Sequence, residues 1–212
     1  MTITAPGGLR VKDLVVGYDR PIHDPLNFTV HAGEILAVLG PSGCGKSTLL
    51  STIAGVIPPL GGQIFLNGHD LANSPIHARR IGLVFQQPLL FGHLSLIDNI
   101  AYGLRAQNID KPIARERAAQ LLDWVGLTSV KDQRPWELSG GQAGRVALAR
   151  ALAPEPHALL LDEPYSALDT DTRLRIAQEV AELIREKGVP AIHVTHDKQE
   201  AESIATNTLL LQ

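Results

Sequence analysis

The sequence predicts an α/β fold with a mainly parallel central sheet, because several apolar runs lack polar alternation and helical patterns stand between them. Three such runs are nearly continuous, at Glu34–Leu39, Ile81–Phe85 and Ala158–Leu161. Strands buried on both faces of a parallel sheet have this pattern, whereas a strand with one solvated face alternates apolar and polar residues. Val189–Val194 indicates a fourth strand of this kind.

Two segments have the periodicity of amphipathic helices. The first has Pro112 in its opening turn and a stop at Gly126, and its apolar face consists of Ala114, Ala118, Leu121, Leu122 and Val125. The second ends at Gly188, and its apolar face consists of Leu174, Ala177, Val180, Leu183 and Ile184.

The distribution of these patterns predicts the organisation of the chain. Strand and helix patterns alternate near both ends, whereas the middle, from about Gln87 to Trp136, carries helix and loop patterns without a convincing strand. The first 33 residues and Gly62–Gly68 alternate over shorter stretches, which indicates a small antiparallel sheet. At 212 residues we expect a single domain, 1–212, with a core at about 1–86 and 154–212 and a helical subdomain at about 87–153.

Composition excludes several classes of protein. With 44% hydrophobic and 19% charged residues, the chain is too apolar for a disordered segment. A net charge of −3 gives no electrostatic reason to bind nucleic acid. The longest uncharged stretch, Ser47 to Gly68, is broken by prolines and glycines and does not predict a membrane span, and the N-terminus lacks a secretory pattern. Cys44, the only cysteine, excludes an internal disulfide and fits a reducing cytoplasm.

A glycine-rich stretch between the first buried strand and a helix has the pattern GxxxxGK[ST]. We expect nucleotide phosphates to bind its backbone N–H groups and the helix N-terminus, through Gly40, Ser42, Gly43, Cys44, Gly45, Lys46, Ser47 and Thr48. Lys46 would reach the β- and γ-phosphates, and the Ser47 hydroxyl would bind Mg²⁺. We interpret Cys44 as a small residue in a cradle formed by the backbone rather than as a redox switch.

Two carboxylates follow the third apolar run, at Asp162 and Glu163. Successive side chains on a strand point to opposite sides, so the two are expected to have different roles. Asp162 is the expected partner of Mg²⁺, and Glu163 the residue that orients and deprotonates an attacking water. In isolation the pair could equally mark a solvated strand end.

Leu138-Ser139-Gly140-Gly141-Gln142 resembles the signature of the ATP-binding-cassette (ABC) ATPases. With the phosphate loop and the Asp162-Glu163 pair in the same order, the resemblance covers essentially the whole chain. It implies a P-loop NTPase (RecA-like) core and an ATP-dependent head-to-tail homodimer. In that dimer Ser139, Gly140, Gly141 and Gln142 of one protomer close over the γ-phosphate held by the other.

The same resemblance implies further site residues. Gln86 resembles the Q-loop glutamine that contacts Mg²⁺ and the attacking water, and Gln87 is the alternative at this point. His196 resembles the switch histidine that contacts the γ-phosphate. Asp169, in Ser166-Ala-Leu-Asp169, resembles the D-loop aspartate that links the two sites across the dimer. Tyr18 resembles the aromatic residue that stacks on adenine, although it could equally be a packed strand end.

Departures from the family pattern occur at two places. Ala143-Gly144 stands where many relatives carry two glutamines, and we expect a glycine in the first turn of the signature helix to cost up to about 1 kcal/mol without abolishing activity. The chain ends at Leu211-Gln212, within a late strand pattern, so we expect no regulation through the C-terminal domain that many importer subunits carry.

The resemblance also implies the work that ATP hydrolysis performs. Residues 85–104 are similar to the corresponding region of bacterial importers that use a soluble binding protein, and we expect two separate transmembrane permease subunits as partners. Leu89, Leu90 and Phe91 could form a groove for a permease helix, or could pack the lobe against the core.

The expected function is therefore that of the ATPase subunit of a solute importer at the cytoplasmic face of the membrane, with an extracytoplasmic solute-binding protein in the complex. Two alternatives stay open: the ATPase of an exporter or of a lipoprotein-release or cell-division complex, and a soluble cassette protein that acts on ribosomes or DNA. The soluble alternative usually carries paired cassettes or basic extensions, and this sequence shows neither.

Overall fold

The computed structural model describes residues 7–166 and 168–212. The strands are β1 (Gly8–Val15), β2 (Leu26–His31), β3 (Ile35–Leu39), β4 (Gly61–Leu66), β5 (His69–Asp70), β6 (Ile81–Val84), β7 (Ala158–Asp162), β8 (Ala191–Val194) and β9 (Asn207–Leu210). The α-helices are α1 (Lys46–Ala54), α2 (Leu96–Ala106), α3 (Lys111–Trp124), α4 (Gly140–Leu152), α5 (Thr170–Lys187) and α6 (Lys198–Ile204).

The chain forms two compact units. The first comprises the chain up to Leu83 together with His157–Glu163 and Thr170–Gln212, and the second comprises Val84–Pro156 and Pro164–Asp169. The first unit holds both sheets, and the second is helical. The predicted α/β fold, with a parallel sheet, a small antiparallel sheet and a helical region, is confirmed.

The parallel sheet has the strand order β6-β7-β8-β3-β9. Each predicted apolar run overlaps one of its strands, with ends that differ by one or two residues. The largest difference is at Val189–Val194, where β8 begins only at Ala191. The Val189 N–H donates to the Ile184 carbonyl at the end of α5, and Pro190 has no N–H to add to the sheet.

The predicted antiparallel sheet is present and has the order β2-β1-β4-β5. Leu9 and Val11 of β1 belong to the same apolar cluster as Leu36 of β3 and Leu160 of β7, so the two sheets of the first unit share one core. This core fixes the carboxyl ends of β3, β7 and β8, which carry the residues of the candidate site.

The second unit is built on α2, α3 and α4. The predicted helix with Ala114, Ala118 and Leu122 is α3, and these three side chains are fully buried in the core of this unit. Asn99 of α2 is also fully buried, and its amide bonds to both the N–H and the carbonyl of Phe91. It thereby fixes the loop that precedes α2.

No helix in the described part of the chain has the length and apolar character needed to cross a lipid bilayer.

Candidate functional site

The loop between β3 and α1 has a backbone that requires glycine. Gly43 and Gly45 have φ angles of 82° and 90°, in the left-handed region that side chains disfavour. A Cβ on Gly45 would lie 3.0 Å from Ile22 Cγ2 and 3.1 Å from His23 Nε2. On Gly40 it would lie 2.5 Å from the Leu211 carbonyl oxygen. The chain therefore curls tightly here and leads straight into the first turn of α1.

The N-terminus of α1 is free of the groups that usually satisfy a helix start. Its N-cap residue is Gly45, no side chain caps the helix, and no acidic residue lies in the first turn. The first N–H groups and the positive end of the helix dipole are therefore left for an anion from elsewhere. This is the physical requirement for a phosphate site.

Lys46 places a cation beside these N–H groups. Its side chain is buried, and Nζ donates to the carbonyls of Gly40 and Pro41, at 2.8 and 2.9 Å. The ammonium group is thus folded back over the phosphate loop. A phosphate group bound there would offer it a charged acceptor in place of neutral carbonyls.

Ser47 and Asp162 meet although they are far apart in sequence. Ser47 on α1 lies near the Asp162 carboxyl at the end of β7 and favours its charged form. Burial raises the pKa of the Asp162 carboxyl, and the nearby Glu163 carboxylate also raises it, whereas the Ser47 side chain and the Lys46 ammonium lower it. The net result is a raised pKa, because the effect of burial outweighs the interactions that favour the charged form.

Glu163 and His196 also lie side by side. Asp162 of β7 is in register with Val194 of β8, so both chains leave the sheet at the same edge. The Glu163 N–H donates to the Val194 carbonyl, and Glu163 has a φ of 44°, which is uncommon for a residue with a side chain. Its Oε2 lies 3.0 Å from Nδ1 of His196. The His196 side chain is 62% exposed, so this carboxylate–imidazole pair is open to a ligand.

Tyr18 lies in a short turn closed by a bridge between Gly17 and Pro21. Its side chain is exposed, with 67% of the residue accessible to solvent. It is not part of the packed core, and its ring is available for stacking on a planar group.

The signature segment begins α4 in the second unit. Ser139 is the N-cap, and its Oγ accepts a hydrogen bond from the Gln142 N–H while Gln142 Oε1 accepts from the Ser139 N–H. This is a reciprocal capping box, which the spacing Ser-x-x-Gln could have predicted. Gly140 and Gly141 form the first turn of α4. Gly144 lies in the second turn and not, as expected from sequence, in the first; a Cβ there would lie 3.3 Å from the Pro164 carbonyl oxygen.

Gln86 and Asp169 are exposed and belong to the second unit.

Leu89, Leu90 and Phe91 also belong to the second unit. Of these three apolar residues, only Leu89 is exposed, at 56%. Leu90 packs against the core of this unit, and the Phe91 ring lies 4.6 Å from the ring of Tyr102. Leu90 and Phe91 therefore pack against residues of the second unit itself.

The first unit brings together part of the expected site, namely the phosphate loop, Asp162, Glu163 and His196, and it also carries Tyr18. Gln86, Ser139–Gln142 and Asp169 lie in the second unit. Sequence reasoning missed Ile22 and His23, which lie against Gly45, because nothing in the sequence links them to that loop. Among the described residues, no group of three or more His, Cys, Asp or Glu side chains forms a ready metal site.

Comparison with protein families gives one match, to the family described as ABC transporter, over residues 23–166. The matched region includes the phosphate loop, the signature segment and the Asp162-Glu163 pair.

Relatives of known name match along the chain. The Fe(3+) ions import ATP-binding protein FbpC 1 of Rhizobium meliloti is 41% identical over 213 residues, which cover 100% of this chain and 60% of the relative. A putative 2-aminoethylphosphonate import ATP-binding protein, PhnT of Salmonella typhimurium, is 42% identical over 96% of this chain and 57% of its own length. The chain therefore spans about 60% of the length of these relatives.

Solved structures match over almost the whole chain. A dimeric ATP-binding cassette, MJ0796, in a post-hydrolysis state bound to ADP and Pi, superposes with a TM-score of 0.89 at 30% identity and covers 96% of this chain and 94% of that one. A second dimeric structure of the same cassette gives a TM-score of 0.88 at 31% identity, with the same shares of both chains covered.

Proposed function

This chain belongs to the ABC transporter family, and from that premise we propose that it is the ATP-hydrolysing subunit of a membrane importer. The observation that carries the proposal is the edge of the parallel sheet in the first unit. There an uncapped helix N-terminus and a buried lysine adjoin a serine–aspartate pair and a glutamate–histidine pair. Phosphate binding, cation binding and water activation each need one of these arrangements.

ATP binds by its phosphates to the loop Gly40–Thr48. The N–H groups of Ser42, Gly43, Cys44 and Gly45 and the first turn of α1 supply donors, and Lys46 supplies the charge for the β- and γ-phosphates. The exposed ring of Tyr18 stacks on the adenine. Stacking contributes affinity and tolerates different bases, so specificity for phosphate lies in the loop.

Mg²⁺ fits the oxygen donors present. Ser47 Oγ and the Asp162 carboxylate lie close together, and hard oxygen ligands are those that Mg²⁺ prefers. Gln86 is the third proposed Mg²⁺ contact. When bound, the ion would neutralise charge on the β- and γ-phosphates and would favour the charged form of the buried Asp162 carboxylate.

Glu163 acts as the general base. Its carboxylate accepts a proton from a water molecule as that oxygen attacks the γ-phosphorus and the bond to the β-phosphate oxygen breaks, which gives ADP and inorganic phosphate. His196 holds the Glu163 carboxylate from one side and contacts the γ-phosphate. The unusual φ of Glu163 fixes the start of its side chain in the strand-end turn.

The catalytic site is completed by a second copy of the chain. Ser139, Gly140, Gly141 and Gln142 of one protomer contact the γ-phosphate held by the other, and Asp169 links the two sites. The capping box supports this role, because it uses the Ser139 oxygen as an acceptor and leaves the hydroxyl proton free to donate to a phosphate oxygen. The dimeric MJ0796 cassettes support the assembly.

ATP hydrolysis by this chain drives solute import. Relatives of similar identity are named as import ATP-binding proteins, for Fe(3+) in one case and for 2-aminoethylphosphonate in another. Two permease subunits would supply the spans, with this chain peripheral to the membrane at its cytoplasmic face and a solute-binding protein outside. Because relatives equally similar to this chain are named for different solutes, the cargo is specified by those other subunits.

The test combines catalysis with assembly. Phosphate release is measured with Mg²⁺–ATP for the wild-type protein and for Glu163→Gln, and the native protein is isolated from detergent-solubilised membranes with its partners. We expect Glu163-dependent release and co-purification of two multi-span membrane subunits. Absence of hydrolysis would contradict the ATPase assignment, and a protein without membrane subunits would contradict the importer assignment.

A further inference from the structure

The strand and the helix on either side of His196 are joined by two ionisable side chains that solvent does not reach. His193 lies in β8, an inner strand of the parallel sheet, and is fully buried. Glu200 lies in the first turn of α6 and is 3% exposed. Nε2 of His193 and Oε1 of Glu200 are 2.5 Å apart. Neither residue has a role in the chemistry proposed above.

Such a pair is not explained by stability alone. Removing ionisable groups from water costs free energy, and apolar residues of similar size often stabilise a core as well or better. What a close polar pair adds is a defined distance and direction between two elements. Here the two elements are β8 and α6, and only Thr195, His196 and Asp197 connect them.

The connection formed by residues 195–197 is also fixed by hydrogen bonds. Asp197 caps α6 by accepting hydrogen bonds from the N–H groups of Gln199 and Glu200, at 2.9 and 3.2 Å. Its other carboxylate oxygen lies 3.3 Å from the Arg173 guanidinium on α5, and its N–H donates to Thr195 Oγ1. His196 is the one member of the connection that projects a largely exposed side chain, 62% accessible, and that side chain reaches Glu163.

We infer that His193 and Glu200 are positioning residues for His196. By fixing the first turn of α6 to β8, the pair keeps the His196 ring beside Glu163. In that position the ring can also contact the γ-phosphate. The inference rests on the proposed function, because it assigns a purpose to the placement of His196. It predicts that loss of the pair slows the chemical step while ATP binding is retained.

The test is a paired substitution, His193→Leu with Glu200→Leu, because a single change would leave one ionisable group buried alone. We expect kcat for ATP hydrolysis to fall about ten-fold or more, since a displacement of about 1 Å at a reacting group can cost more than that. KM for ATP should change less than about two-fold, because the phosphate loop is untouched. His193→Gln, which keeps an N–H donor for Glu200, should recover most of the rate.

The decisive arm repeats the paired substitution in a His196→Ala background. If the pair acts through His196, it has nothing left to position, and kcat should fall no further than in His196→Ala alone. Ile204→Ala, which removes buried apolar volume at the far end of α6, is the control for general destabilisation and should leave kcat unchanged.

Three results would overturn the inference: wild-type kcat in the paired variant, losses that multiply in the His196→Ala background, or an equal loss in Ile204→Ala. Failure of the proposed function looks different. A wild-type protein that releases no phosphate would contradict both, whereas release that needs His196 but ignores the pair would contradict this inference alone.

Discussion

Two glycine-containing turns begin helices in this chain, and they differ in how far their hydrogen bonds are already satisfied. The phosphate loop of the first unit leads into α1, whose N-cap, Gly45, provides no side-chain cap. The signature segment of the second unit leads into α4, whose N-cap, Ser139, forms a complete capping box with Gln142.

The difference indicates which turn binds a ligand by itself. An N-cap side chain typically stabilises a helix by about 1 kcal/mol, and α1 forgoes that stabilisation while keeping a buried lysine beside its free N–H groups. The first turn of α4 is already capped internally; Ser139 and Gly140 are exposed, and Gly141 and Gln142 are half-buried. We therefore expect nucleotide affinity to depend on the first unit, and the signature to act only when it closes on a nucleotide bound by another copy.

The largest effect should come from the proposed general base, Glu163, in the first unit. Glu163→Gln keeps the size of the side chain but removes its ability to accept a proton, so hydrolysis should fall about 10²–10⁴-fold while ATP affinity is retained. Phosphate release and calorimetric ATP binding measure the two quantities. Glu182→Gln, an exposed change on α5, is the matched control. Near-normal turnover in Glu163→Gln would contradict the assignment of Glu163 as the general base.

Next in size should be the loss of affinity in Lys46→Ala. The change removes the one buried cation of the phosphate loop, and a charge-assisted bond of this kind corresponds to about a ten- to hundred-fold weaker Kd for ATP. Lys12→Ala, at an exposed position of β1, should bind ATP normally. Equal ATP affinity in Lys46→Ala and wild-type protein would show that the loop is no phosphate cradle.

Substitution of Ser139 tests the signature segment of the second unit in the same way. Ser139→Arg should leave ADP binding intact, because the first unit is unchanged, but should lower hydrolysis about ten-fold or more by blocking closure on the second copy. Sedimentation with ATP should show a monomer.

Ser139→Ala is the smaller substitution, which removes the cap and the proposed hydroxyl contact with the γ-phosphate but adds no bulk. It should lower the Tm by about 2–4 °C, as expected for a loss of about 1 kcal/mol in a chain of this size, without preventing ATP-dependent dimerisation. Normal dimerisation of Ser139→Arg would mean that the segment is only a helix start.

The smallest effect should be a pH-dependent change in stability at Asp162. Because the pKa of this carboxyl is raised in the folded protein, its contribution to stability is present at pH values below the pKa in the unfolded chain and is lost as pH rises through the folded-state pKa. Asp162→Asn should therefore melt slightly higher than wild type at neutral pH without nucleotide, and the difference should shrink in acid. Calorimetric melting across a pH series measures this difference in melting temperature. A variant that melts lower than wild type at every pH would contradict the prediction.

Sequence could predict those parts that depend on local pattern. The buried strands follow from uninterrupted apolar runs, because a strand covered on both faces has no solvated side chains. The phosphate loop follows from glycines and a lysine at fixed spacing between strand and helix. By contrast, the signature segment has no general physical signature beyond a helix cap, and its interpretation came from resemblance alone.

Side-chain contacts that depend on tertiary packing could not be predicted from the sequence. The contact of His193 with Glu200 arises from how α6 packs on β8, and two ionisable residues seven positions apart do not reveal it. Leu89, Leu90 and Phe91 are adjacent and similarly apolar, yet only Leu89 is exposed, because the Asn99 amide and the Tyr102 ring fix the turn of this loop. Burial at single loop positions is decided by such contacts.

The central claim is that each catalytic site takes its phosphate loop from one copy and its signature from another, and mixing two inactive variants tests it most directly. In a mixed dimer of Glu163→Gln and Ser139→Arg, one site carries both defects and the other carries neither. Equal amounts combined before ATP is added should therefore hydrolyse ATP well above the sum of the separate variants, approaching about a quarter of the wild-type rate if mixing is random. A rate no greater than that sum would contradict the shared site.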